Sequence, residues 1–96
     1  MTAEYLWPTR EDGQRAREAW PVTIVTLAVG QRISGEVIGR QPFGVFVRID
    51  QAPDAIGLME VITMPVGVAL PALGVHVVGE VIGHADHNHQ VRLRPA

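Results

Sequence analysis

The 96 residues fit one domain, and a hydrophobic fraction of 47% with a net charge of −2 leaves enough apolar material for a buried core. All eight basic residues are Arg, set against ten Asp and Glu, so no global positive field draws the chain to a polyanion; such binding would rest on a local patch. The absence of Cys excludes disulfides and thiolate metal sites.

In chain order, "MTAEYLWPTREDG" is polar and charged where a secretory signal needs an apolar segment, so a cytoplasmic location is expected. "TREDGQRAREA" at 9–19 predicts a short helix, with Thr9 as N-cap and Asp12 as its capping-box partner. Pro21 is expected to end it, and Trp7 and Trp20 to dock it onto the rest. "VTIVT" at 22–26 reads as a short strand. Next comes "GQRISGEVIGR" from Gly30, whose core word returns in "GVHVVGEVIGH" from Gly74. Each copy alternates like a strand, with Ile33, Gly35, Val37 and Gly39 on one face of the first. "FGVFVRID" places Val45, Val47 and Ile49 inward and Phe46 and Arg48 outward. "AIGLMEV" at 55–61 and "QVRLR" at 90–94 complete five strands.

The residues after the repeated word differ between the copies, and a solenoid needs three or more units, so two similar barrel strands explain the repeat. The glycines suit long strands bending around a small barrel. The apolar run from Val61 to Gly79 is interrupted by Pro65 and Pro71, which argues against a membrane span.

Val29-Gly30, Gly35-Glu36-Val37, Phe43-Gly44-Val45-Phe46-Val47, Gly57-Leu58, Gly74 and Val91–Leu93 occur in the order of the S1 RNA-binding domain, which the chain resembles over residues 28–95. The resemblance implies an all-β, five-stranded S1-like OB-fold barrel at 28–96, preceded by an N-terminal extension at 1–27 with a short helix. It implies binding of single-stranded RNA, in translation or RNA metabolism; with few phosphate contacts left, that binding is expected to be weak and with little sequence preference. The family's stacking aromatics fall on Phe43 and Phe46, and Arg48, Arg40, Arg92 and Arg94 are the candidate phosphate contacts. Three polar family positions differ: Glu60 stands for His, Ala85 for Asp and Gln90 for Arg.

A rival reading is a protein-interaction module, with Val66, Val68 and Leu70 of the 61–74 segment forming a patch for a protein partner or a homodimer. The N-terminal helix lying across the nucleic-acid face belongs to that reading. His84, His87 and His89 in "HADHNH" read first as a polar hairpin turn and second as a metal site. No cofactor is expected. Ser34, the sole Ser, lies in a strand without a nucleophile elbow, and no P-loop or dinucleotide fingerprint occurs, so binding without catalysis is expected.

Overall fold

The computed structural model describes residues 4–96. Its elements are α1 (Arg10–Thr26), β1 (Arg32–Gln41), β2 (Gly44–Ile49), β3 (Ile56–Glu60), a 3-10 turn (Val61–Thr63), β4 (His76–Ala85) and β5 (Gln90–Pro95).

The predicted cap is present in full. The Asp12 N–H donates to Thr9 Oγ1 at 3.1 Å, and the Thr9 N–H donates to Asp12 Oδ2 at 2.9 Å. The predicted stop at Pro21 is not: α1 runs through it to Thr26, so residues 22–26 are helix and not strand. Proline's missing N–H leaves the helix one bond short, and the β-branched run favours strands. Both preferences yield to burial. Ala16, Trp20, Thr23 and Leu27 recur at helical spacing and are all buried, with Leu27 completely inaccessible. Thr23 Oγ1 also donates to the Ala19 carbonyl at 3.0 Å, and the Leu27 N–H closes the helix on Thr23 O at 2.9 Å.

The five strands close in the order β1-β2-β3-β5-β4, with β3 and β5 parallel and every other pair antiparallel. This is an OB-fold barrel. β1 slips register between Val37 and Gly39, and β4 slips between Val81 and Gly83. The repeated Gly-Glu-Val-Ile-Gly is thus the same bulged bend used in the two long strands, each of which has to curve to close the barrel.

Ile33, Val37, Val45, Val47, Ile49, Met59, Val81, Val91 and Leu93 fill the interior, and Trp20 and Leu27 of the N-terminal region join the same cluster. A second cluster lies on the outside of the barrel, where Ala16 of α1 covers Phe46 and Ile56, with Ile38 and Leu58 at its margin. The amino half of α1 therefore rests on the outer surface of β1–β3, while residues of its carboxyl half reach the core.

Candidate nucleic-acid interface

The two family aromatics stand in different environments. Phe43, in the β1–β2 turn, is 41% exposed, whereas Phe46, in β2, is 2% exposed. Phe46 does point out of the barrel as its alternation predicts, but Ala16 and Trp7 cover it. The Trp7 ring lies 5.9 Å from that of Phe43 and 5.7 Å from that of Phe46, and the two phenyl rings meet edge-on at 6.0 Å. Phe46 is therefore not open to a base, and of the three rings in this cluster the accessible ones are Trp7, 59% exposed, and Phe43. Sequence reasoning treated Trp7 only as a docking residue.

Backbone pairing holds Trp7 there. The Leu6 N–H donates to Arg40 O at 2.8 Å, and the Arg40 N–H donates to Leu6 O at 2.6 Å. Gly39 permits this approach. A Cβ at that position would lie 2.8 Å from Pro8 Cδ and 3.0 Å from the Phe46 ring, closer than such contacts are made.

The four predicted arginines all have partners. Arg48 Nη2 reaches Asp12 Oδ1 at 3.3 Å, and Arg15 Nη2 reaches the same oxygen. Arg40 donates to the carbonyls of Pro71, Leu70 and Glu4, and its guanidinium lies 5.2 Å from the centre of the Tyr5 ring, so it works as a strut between the N-terminal segment and the 61–74 segment. Arg92 pairs with Glu60 at 3.2 Å and Arg94 with Glu80 at 2.8 Å. Outward register gave these side chains room, but carboxylates and carbonyls distant in sequence took up their charge.

Asp12 ties the helix to β2. Burial works to raise its pKa, but the hydrogen bonds from Thr9 and the Arg48 guanidinium outweigh this and hold the carboxyl below its ordinary value.

Glu60, Ala85 and Gln90, the three departures from the family pattern, come together with Leu58, Asp86 and Arg92 around one groove of about 630 Å³. Within it Glu60 neutralises Arg92. The β4–β5 turn forms one rim, as the hairpin reading expected. His84 Nε2 donates to the Leu27 carbonyl at 2.6 Å, Trp20 Nε1 donates to Asp86 Oδ1 at 2.9 Å, and the Trp20 ring meets His89 edge-on. Three members of the His-rich run, His84, Asp86 and His89, thus meet the carboxyl half of α1 and the residue that caps it. Among the described residues no group of three His, Asp or Glu side chains is placed to hold a metal.

Ser34, Asp50 and His76 also converge. Ser34 Oγ donates to Asp50 Oδ2 at 2.7 Å, and His76 Nε2 lies 2.8 Å from the same oxygen. The His76 hydrogen bond, with that of Ser34, lowers the Asp50 pKa. The carboxylate sits between Ser and His, so the imidazole is bonded to the acid and not to the hydroxyl it would have to activate.

No protein-family model matches the chain, and no curated protein matches it in sequence. Solved structures do resemble it. A multidomain protein with nucleic acid binding domains from Streptococcus pneumoniae is 18% identical, with a TM-score of 0.63 over 82% of this chain and 27% of that one. Mycoplasma genitalium RNase R in complex with ribose-methylated single-stranded RNA is 14% identical, with a TM-score of 0.70 over 84% of this chain and 15% of that one. GSP13 from Bacillus subtilis is 20% identical, with a TM-score of 0.59 over 72% of this chain and 55% of that one. This chain spans only a minor part of the first two proteins. At these identities the likeness defines the fold, and the chain is an OB-fold protein. Among the described residues no helix is long and apolar enough to cross a membrane.

Proposed function

We propose that this protein is an S1-like module that binds single-stranded RNA weakly and without catalysis. The observation that carries the reading is the pair of exposed rings, Trp7 and Phe43, set beside each other at a tilt of 46° on the outer surface of an OB-fold barrel. An accessible ring takes a base for ~1–3 kcal/mol whatever its sequence, because every base has a π-face. Phe46 supports Trp7 from beneath. The order of the S1-like motifs and the likeness to an RNase R solved with single-stranded RNA support the same reading. Binding is weak on this account because the arginines on β2 and β5 are already paired, so few phosphates are neutralised.

Titration of a labelled mixed-sequence single-stranded RNA at low and moderate salt tests it. Trp7→Ala and Phe43→Ala are each expected to weaken binding about 5- to 150-fold while the protein stays folded. Phe46→Ala instead removes a buried ring and is expected to cost about 3–5 kcal/mol of stability. No binding by the wild type at the lowest salt would end the RNA reading.

A second reading, a protein-interaction module, rests on a separate observation. α1 covers the outer surface of β2 and β3, while Ile62, Val66 and Val68 of the 61–74 segment are exposed, Val66 completely. Leu70, which that reading expected beside them, packs partly buried against the core. Solution mass across a range of concentrations separates the two, since a rise with concentration favours a homodimer through that segment.

A further inference from the structure

The eight arginines are not distributed evenly between paired and unpaired. Arg15, Arg48, Arg92 and Arg94 have carboxylate partners and Arg40 has carbonyls, whereas Arg10, Arg17 and Arg32 have no carboxylate partner among the described residues. Two of these three line one groove. Arg10 and Arg17 stand two turns apart on one face of α1, with Gly13 and Gln14 between them, and His87 and His89 of the β4–β5 turn face them across about 620 Å³. The acidic residue of that turn, Asp86, is turned away to accept from Trp20 Nε1. His87 also borders the groove that holds Glu60 and Arg92, so the two depressions meet at the turn.

Resting on the RNA reading, we infer that the groove between α1 and the β4–β5 turn, lined by Arg10, Arg17, His87 and His89, is the phosphate-binding track of this protein. The strand's backbone is carried by the helix, which lies outside the family resemblance, and not by the β2 and β5 arginines. The chemistry is direct. Two guanidiniums with no partner among the described residues can take phosphate oxygens, the imidazoles add N–H donors, and no carboxylate lines the groove, the nearby Glu18 accepting from Gln14 Nε2 at 3.1 Å. Gly13 leaves its floor open: a Cβ there would meet nothing within 4 Å.

The test is the salt dependence of binding of the labelled single-stranded RNA to the full chain. Arg10→Gln/Arg17→Gln is expected to bind several-fold more weakly at low salt and to lower the slope of log K against log salt by about 1.4, two phosphates at about 0.7 each. Gly13→Glu sets a carboxylate between the guanidiniums at a position with room for it, and is expected to weaken binding further while raising helix propensity. Arg32→Gln removes an equally unpaired charge outside the groove and is expected to leave the slope unchanged. An unchanged slope in the double variant, with Trp7→Ala still impaired, overturns the phosphate track and leaves the RNA reading standing. A fall in slope of about 0.7 in Arg32→Gln, half that of the double variant, overturns it too, because a general field would then suffice. Absence of wild-type binding at low salt overturns both.

Discussion

Asp12 is the residue on which the N-terminal region depends. It closes the helix cap with Thr9, receives Arg15 and Arg48, and is buried under the helix it starts. Its carboxyl is held below its ordinary pKa, so its ionised form contributes stability that is complete above the usual aspartate range and is lost as pH falls through the lowered value. Asp12→Asn is expected to cost about 1–3 kcal/mol near neutral pH, through the cap and the Arg48 contact, and to flatten the acid limb of the stability curve. Urea denaturation of both proteins from pH 7 down to pH 3 measures this; parallel curves would show that Asp12 is not the titrating group. Its capping role was legible in the sequence because Thr9 and Asp12 are three residues apart. The pairing with Arg48 was not, because nothing local connects residues so distant in the chain.

At the scale of elements, α1 shows how burial overrides local preference. The stripe Asp12, Ala16, Trp20, Thr23 and Leu27 is written in the sequence, but Pro21 and the β-branched run after it argue for a stop and a strand. The helix continues because stopping would withdraw Thr23 and Leu27 from the interior. Pro21 itself is exposed and contributes no buried surface to offset its missing N–H. Pro21→Ala is therefore expected to raise stability by about 1–3 kcal/mol, visible as an increased thermal midpoint with unchanged helical ellipticity. A lower midpoint would mean that the proline makes a contact in its favour. Period-two alternation and burial agree along β1 and β5, whereas in β2 the outward Phe46 is buried as well, because α1 and Trp7 cover it.

For the whole molecule, the division between an extension at 1–27 and a barrel at 28–96 is crossed by the core. Trp20 and Leu27 share a cluster with the interior of the barrel, and His84 of β4 and Asp86 of the β4–β5 turn hold the helix in place. Helix and barrel are expected to unfold together, in one thermal transition seen equally by far-ultraviolet circular dichroism and by Trp fluorescence. Removing residues 1–27 is expected to leave a barrel that fails to fold, because the core loses two large side chains and the outer surface of β2 and β3 is uncovered. A truncated chain with a cooperative transition near the wild-type midpoint would show the barrel to be self-sufficient.

The barrel, its five strands, the glycine bend repeated in two of them and the start of the helix were all legible in the chain alone, because each is marked by residues close together in it. Which outward side chains remained available was settled by folding. Phe46 was covered and the β2 and β5 arginines were paired by partners brought from elsewhere in the chain, while Trp7, Arg10 and Arg17 were left facing solvent. Alternation says which way a side chain points, but long-range packing decides what it meets there.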